Sequence, residues 1–395
     1  MRVCHVITRM IIGGAQENTL LTCSGLAESG HDVLLLSGSE TGPEGSLWDQ
    51  VNASSFAAET VPSLRRSINP ILDLRAMREL TRQIAAFSPD IVHTHSSKAG
   101  ILGRMAAARA GVDGIVHTIH GMSFNRTQPT WVQACYRSLE RWAARKTHAF
   151  ICVADAMTDQ ALAAGIGDRS MFHTIRSGMR VERFHADATQ RSQWRDTWTI
   201  GKDEVVVGTI ARLFRNKGYE ALLQAMPSIV ARDPRVRFVW IGDGPQRSEY
   251  TRLLRQAGLS DRVHFTGLVP PDSIPDLLRG IDMLVHASRW EGLPRAVVQA
   301  LLSEVPAISF DNDGAREVVI PGETGLLVPF GDHEALADAV VELAGDAERR
   351  AALGRQGRTN CLVPFDRRTM VTEIERVYGN LLSGRSDSEF GRRIP

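Results

Sequence analysis

Three side chains in this sequence are placed to handle a charged, hydroxyl-rich ligand. Arg212 and Lys217 lie five residues apart in TIARLFRNKG, around a polar turn that ends at Gly218, so both cations can converge on one diphosphate. Glu291 stands in SRWEGLPRAVVQALL, between the apolar run IDMLVHAS and a helical pattern that begins near Arg295. A carboxylate there can accept from two vicinal hydroxyls. The N–H groups of Gly292, Leu293, Pro294's successor Arg295 and the rest of the turn can meet phosphate or sugar oxygens. Gln299, two turns onward, is expected near the helix face that carries Glu291 and Arg295. The plainer alternatives are a solvated basic loop for Arg212 and Lys217, and a first-turn acid that favours the helix dipole for Glu291.

Two further stretches carry polar chemistry at the ends of apolar runs. Gly13 and Gly14 in IIGGAQENTL let a backbone approach a phosphate at a helix start, although a tight strand-to-helix turn explains them equally well. Glu17 stands where the third glycine of a dinucleotide fingerprint would fall, which disfavours a nicotinamide or flavin site. His93 and His95 in IVHTHSSKAG, and His120 closing GIVHTIH, are expected to border a polar cleft. Histidines on separate strand ends without a carboxylate triad point to hydrogen bonding, and no metal is assigned to them.

These residues need a scaffold that brings strand ends together. Short apolar runs (RVCHVIT, HDVLLLS, DIVHTH, GIVHTIH, HAFICVA) alternate with amphipathic stretches such as 16–29 and 131–145, the pattern of parallel strands with crossover helices. The alternation pauses over ADATQRSQWRDTWTIGKDE, which reads as a linker with a surface helix, and restarts with EVVVGTIAR, VRFVWIGDG, RVHFTG, IDMLVHAS and VPAISF. The fold class is therefore α/β, with two doubly wound parallel sheets facing across a cleft. The expected boundaries are 1–183 for the first Rossmann-like domain, 184–363 for the second with its linker, 364–383 for a last helix returning to the first domain, and 384–395 for a polar, disordered tail. Ligands of such sheets bind outside the carboxyl ends of the strands.

The chain has 395 residues, more than one core usually serves, and 46 Lys+Arg balance 45 Asp+Glu, so no general affinity for nucleic acid is expected. Five scattered cysteines lack metal-ligand or C-x-x-C spacing. The start MRVCHVIT reads as a strand rather than a signal peptide, and no apolar run approaches the ~20 residues that span a bilayer. A cytoplasmic protein is expected, possible contact with the inner face of the membrane included.

GGAQENTL, HTIHG, ARLFRNKG, IGDGP, F-x-G at Phe265 to Gly267, EGLPRAVVQAL and DGAREVVIPGETGLLVPFGD, in this order, resemble the retaining glycosyltransferases of family 4, which have the GT-B fold. The likeness runs from about Met1 to Leu382 and is similar in kind to bacterial enzymes that build surface polysaccharides and glycolipids. It implies a hexosyltransferase that moves a sugar from a nucleoside diphosphate donor, most often a UDP-sugar, to a hydroxyl of a glycan or lipid-linked acceptor, with retention, without a cofactor and without a metal. It implies that Gly13 and Gly14 offer backbone to the diphosphate, that Arg212 and Lys217 neutralise the leaving group, and that Glu291 holds sugar hydroxyls while Gly292 to Arg295 contact sugar and phosphate. His120 would face the donor sugar, and Val269 would meet the base through its backbone.

Gln299 occupies the second acidic position of the family's E-x7-E element, where the ribose is held. An amide there brings no charge, so weaker nucleoside binding is expected. FDNDG looks like the manganese-binding D-x-D of other transferases but is assigned no ion. Acceptor candidates are His95 and the basic pair Arg65 and Arg66 in PSLRRSINP; the stretch WVQACYRSLERWAARK suits either an anionic membrane surface or, as the favoured expectation, packing on the sheet. The competing functions are a nucleotide-sugar epimerase of the same architecture and a non-catalytic nucleotide-sugar-binding homologue.

Overall fold

The computed structural model describes residues 1–184 and 191–384, the side chains of 191 and 192 excepted. The chain divides into two compact units, Met1–Met179 joined by the segment from Arg367, and Arg180–Asp366.

The first unit holds β1 (Arg2–Arg9), α1 (Gly14–Glu28), β2 (Asp32–Gly38), α2 (Trp48–Asn52), β3 (Ala57–Thr60), α3 (Pro70–Phe87), β4 (Ile91–His95), α4 (Ser97–Arg109), β5 (Gly114–Ile119), α5 (Thr130–Ala144), β6 (Ala149–Cys152), α6 (Asp155–Ala163) and β7 (Phe172–Thr174). Its seven parallel strands lie in the order β3-β2-β1-β4-β5-β6-β7. The inner strands are buried on both faces, so they read as continuous apolar runs whose alternate residues serve opposite layers, whereas the edge strands β3 and β7 are exposed or half-buried. Val3 and Ile7 of β1 join Leu20 and Leu26 of α1 on one face, whereas Cys4 and Val6 join Leu80 and Ile84 of α3 on the other. α3 begins where Asn69 accepts from the N–H groups of Ile71 (3.1 Å) and Leu72 (3.2 Å), with Pro70 in its first turn.

The second unit holds α7 (Arg191–Thr197), β8 (Val205–Ile210), α8 (Tyr219–Arg232), β9 (Val236–Ile241), α9 (Arg247–Gln256), β10 (Val263–Gly267), α10 (Ile274–Leu278), β11 (Met283–His286), α11 (Arg295–Leu302), β12 (Ala307–Phe310), β13 (Gly325–Val328), α12 (His333–Gly345) and α13 (Ala347–Leu362). Its strand order is β10-β9-β8-β11-β12-β13, again parallel. Each sheet runs outward from its first strand one way and then the other, so the order reverses between β1 and β4 and between β8 and β11. Those reversals open crevices at the carboxyl ends of the strands.

The last helix, α14 (Arg367–Ser383), belongs to the first unit. Met370, Val371, Ile374, Val377 and Tyr378 are buried in the core shared with α1 and the sheet, each such side chain contributing on the order of 1.5–3 kcal/mol before entropy. Gly25 of α1 permits the close approach: a Cβ there would lie 2.5 Å from Val371 Cγ2.

The division falls a few residues from the boundaries expected at 183 and 363. Arg183 pairs with Asp272 and the carbonyl of Phe184 accepts from Arg358, which ties 180–184 to the second unit. At the other end Arg367 N donates to Met179 O at 3.0 Å, and α14 starts there. Of the linker expectation, 185–190 lie outside the described residues, as does the tail expectation from 385 onward.

Candidate active site

In the second unit, the loop after β8 and the loop after β11 emerge on either side of the strand-order reversal. Sharp backbone turns lock them together. Gly218 has φ 97° and packs so closely on the other loop that a Cβ would stand 2.5 Å from the carbonyl carbon of Ala287. Asn216 is left-handed at φ 71°, and its carbonyl accepts from Arg289 N at 3.0 Å. The loop after β12 adds a second brace: Asp313 Oδ2 accepts from Glu291 N at 2.9 Å, and Asn312 Nδ2 donates to Ser288 O at 2.9 Å.

This bracing brings Lys217 and Glu291 together, with Lys217 Nζ donating to Glu291 Oε1 at 2.6 Å. Neither group is fully enclosed, their side chains being 33% and 23% exposed, so the pair can meet a ligand. His286 Nε2, at the end of β11, lies 3.7 Å from the same carboxylate oxygen. Burial pushes the Glu291 carboxyl up, but Lys217 and His286, with hydrogen bonds from Lys217 and Ser288, outweigh it and hold the group below its ordinary value. His286 is pushed down by burial first, with Glu291 opposing and Lys217 adding to the shift. The carboxylate is thus ionised and the imidazole neutral at neutral pH.

Arg212 belongs to the same loop as Lys217 and lays its guanidinium over the Phe214 ring, 4.1 Å from the centroid. Gly292, Leu293 and Pro294 are buried in the turn, and Pro294 occupies the cap position of α11. Helix α11 starts only at Arg295, so Glu291 is a loop residue and not part of the helix face that Arg295 and Gln299 share. The first-turn role considered for Glu291 fails for the same reason. Gln299, one turn into α11, is half-buried. Val269 follows the edge strand β10, which β9 separates from β8.

In the first unit, Gly13 and Gly14 stand at the start of α1, beyond β1; Gly13 has φ 174°, extended backbone that any residue adopts. Beside β1, on β4 and after β5, histidines gather. Residues two apart on a strand share a face, and His5 is the registered partner of His93. His5 Nδ1 lies 3.0 Å from His95 Nε2, and His95 Nδ1 lies 3.1 Å from His120 Nε2. His93 bonds Tyr378 Oη of α14 and Thr118 Oγ1, both at 2.6 Å. Burial pushes His5 down to about 3, and burial first, then neighbouring histidines, pushes His93 and His95 well down. His95, named above as an acceptor contact, is 0% exposed with both ring nitrogens engaged, so it stands behind half-buried His120 and reaches no acceptor itself.

Arg65 and Arg66 are exposed. Helix α5 departs from the favoured expectation of packing its apolar face on the sheet. Its buried residues are Glu140, Ala143 and Ala144, whereas Trp131 (70%), Leu139 and Trp142 are exposed. The small residues face inward, and Glu140 pairs with buried Arg104 at 2.6 Å. Missed in the sequence was His5, which lies on β1 and whose alternation in RVCHVIT could have marked it. FDNDG stands out in the sequence only as a D-x-D look-alike, and the bracing by its Asn312 and Asp313 was not foreseen.

Comparison with known proteins agrees along the chain. Residues 13–178 match the family described as "Glycosyl transferase 4-like domain", and residues 190–360 match "Glycosyl transferases group 1". EpsD of Bacillus subtilis (strain 168), named as a glycosyltransferase, is 30% identical over 324 residues, 81% of this chain and 84% of its own. The UDP-Gal:alpha-D-GlcNAc-diphosphoundecaprenol alpha-1,3-galactosyltransferase of Escherichia coli is 28% identical over 348 residues, 88% of each chain. Anabaena Alr3699/HepE, crystallised with UDP and glucose, superposes with a TM-score of 0.83 at 20% identity, covering 96% of this chain and 100% of that one, which shows the same GT-B fold. With both halves matched and a relative this similar along most of its length, the chain belongs to the group 1, family-4-like glycosyltransferases.

Proposed function

We propose that this glycosyltransferase transfers a hexose from a nucleoside diphosphate sugar, with UDP as the favoured carrier, to a hydroxyl of a lipid-linked glycan, with retained anomeric configuration. The observation that carries the proposal is the Lys217–Glu291 pair at the β8/β11 reversal. Lys217, with Arg212 on the same loop, meets the charge that builds on the departing phosphate oxygen. Fixed cations act most strongly at that moment, because their orientation is set before the reaction starts. Glu291 accepts from sugar hydroxyls, the N–H groups of the 292–295 turn hold sugar and phosphate oxygens, Gln299 accepts from the ribose, and Val269 borders the base. Gly13 and Gly14 offer backbone to the diphosphate, and His120 bonds a sugar or acceptor hydroxyl.

The transfer breaks the bond between the anomeric carbon and the phosphate oxygen and forms the bond to the acceptor oxygen on the same face. The acceptor proton passes to the departing phosphate oxygen. No further group is consumed. The residues assigned here need neither a cofactor nor a metal ion.

A lipid-linked acceptor fits the exposed face of the first unit. Helix α4 packs against both α3 and α5, which places their outer surfaces on one layer. That layer exposes Ile68, Ile71 and Leu74 beside Arg65 and Arg66, and Trp131, Leu139 and Trp142 beside Arg137 and Arg145. Tryptophans and basic residues around apolar side chains suit the interface of an anionic bilayer. The E. coli relative carries a diphosphoundecaprenol acceptor in its name. No helix among the described residues is long and apolar enough to cross a membrane.

The test offers the purified protein a panel of nucleotide sugars with a polyprenyl-diphosphate-linked monosaccharide. Nucleotide release that depends on both, with a product whose anomeric coupling matches the donor, is expected. Turnover of donor to its epimer without acceptor, or donor binding with no product across the panel, would replace the proposal with the epimerase or the binding-only reading.

A further inference from the structure

The imidazoles of His5, His95 and His120 are joined nitrogen to nitrogen, and that has a consequence for how His120 works. A neutral imidazole carries one N–H and one bare nitrogen, and the bond made by one fixes the role of the other. The contacts are His5 Nδ1 to His95 Nε2 at 3.0 Å and His95 Nδ1 to His120 Nε2 at 3.1 Å. For both to be N–H···N bonds, His95 must donate at one end and accept at the other. Only two arrangements of three neutral rings do this.

In one, His120 Nε2–H donates to His95, His95 donates to His5, and His5 carries its proton on Nε2. In the other, His5 Nδ1–H donates to His95, His95 Nδ1–H donates to His120, and His5 Nε2 is bare. The buried end decides between them. His5 Nε2 is fully buried and has no hydrogen-bond partner among the described residues. A buried N–H without an acceptor is rarer in proteins than a buried acceptor without a donor. The second arrangement therefore wins, and its far end is a His120 ring with the proton on Nδ1.

We infer that the buried His5–His95 chain sets the tautomer of His120, so that His120 presents Nδ1–H as a hydrogen-bond donor and does not serve as a base. His5 and His95 are positioning residues. Adding a proton to the chain would set two N–H groups against each other, bury a charge at His5, whose ring burial already pushes down to about 3, or reverse the chain and leave His5 Nε2–H buried without an acceptor among the described residues. His93 stands beside the chain without closing it, because Tyr378 and Thr118 occupy its nitrogens. The nitrogens of His5, His93 and His95 do fall within 4.8 Å of one another, as a metal site would need. A shared ion at about 2.0–2.1 Å from each ligand would spread tetrahedral nitrogens beyond the 3.0 Å seen between His5 and His95.

The donor role of His120 deepens the glycosyl-transfer proposal and rests on it; the tautomer does not, since it is read on the free protein. Protein labelled with nitrogen-15 in its histidines is examined by long-range proton–nitrogen correlation at neutral pH. The expected result is His120 protonated on Nδ1 in the wild type, a mixture of tautomers in His95→Phe, and recovery of the Nδ1–H form in His95→Gln, whose amide can accept from His5 and donate to His120. A proton on His120 Nε2 in the wild type, or a His95→Phe spectrum in which His120 is unchanged, overturns the inference. The wild-type spectrum alone decides it if His95→Phe does not fold. A correct tautomer in a protein that transfers no sugar would sink the functional reading and leave the chain standing.

Discussion

Lys217 Nζ and Glu291 Oε1 are 2.6 Å apart, joining the loops that follow β8 and β11 across the point where the strand order reverses. Lys217 helps keep the Glu291 carboxylate ionised, and each side chain holds the other in place, so replacing either disturbs both. Lys217→Met is expected to lower kcat/KM by about two to three decades, on the order of 2–4 kcal/mol of transition-state stabilisation. Glu291→Gln keeps the shape but frees Lys217, and should cost at least about tenfold. Steady-state kinetics with the identified donor checks both; a Lys217→Met enzyme within about threefold of wild type would remove the cation from the chemistry.

Gln299 is the place where this chain departs from the E-x7-E pattern that the sequence resemblance implies. A carboxylate offers a second acceptor oxygen and a charge-assisted bond, worth about 1 kcal/mol more than an amide at a partly exposed position. Gln299→Glu should therefore tighten nucleotide binding by about fivefold, measured by calorimetry with the nucleoside diphosphate, while kcat changes little. Unchanged affinity would place the ribose elsewhere.

Gly218 holds the site loops in register through its backbone. Its φ of 97° and the 2.5 Å approach of a would-be Cβ to the Ala287 backbone mean that Gly218→Ala combines backbone strain with a clash. A loss of about 2–4 kcal/mol is expected, seen as a lower denaturant midpoint with an unchanged slope. A variant as stable as wild type would show that the two loops do not need this contact.

The buried histidines predict an acid-sensitive first unit. An unfolded histidine takes up its proton near pH 6.5, whereas burial holds His5 down to about 3 and keeps His93, His95 and His117 well below the ordinary value. Below pH 6.5 the unfolded chain binds more protons, so stability is complete above that value and declines as pH falls toward about 3, at up to roughly 1.4 kcal/mol per pH unit for each such ring. His5→Phe should flatten the fall of the melting temperature between pH 6.5 and pH 4.5. Parallel wild-type and variant curves would mean that His5 is protonated in the folded state.

The proposed membrane contact relies on the exposed tryptophans of α5 as its anchors. Flotation with vesicles containing anionic lipid should carry the wild type upward, neutral vesicles should carry less, and Trp131→Ala with Trp142→Ala should abolish the anionic binding. No flotation with either vesicle would leave this face without a lipid role.

Much of this protein was legible as sequence because its signals are local. Alternating apolar runs and amphipathic stretches specify parallel strands and crossover helices; the loops that begin at Arg212 and Glu291 sit at strand ends by spacing alone. The edge strands β3 and β7 left no comparable mark, since their few exposed or half-buried residues lack the apolar run that made the equally short β6, β11 and β12 legible. What the chain could not reveal as a string were contacts between residues far apart in it. Asp313 bracing Glu291 from the next loop, α5 turning alanines inward and tryptophans outward, and histidines of β1, of β4 and of the loop after β5 forming one hydrogen-bonded line all depend on the order in which the strands lie side by side. Pleat alternation says that His93 and His95 share a face; only the pairing of β1 with β4 supplies His5 as their neighbour and buries the far nitrogen that settles which way the protons point.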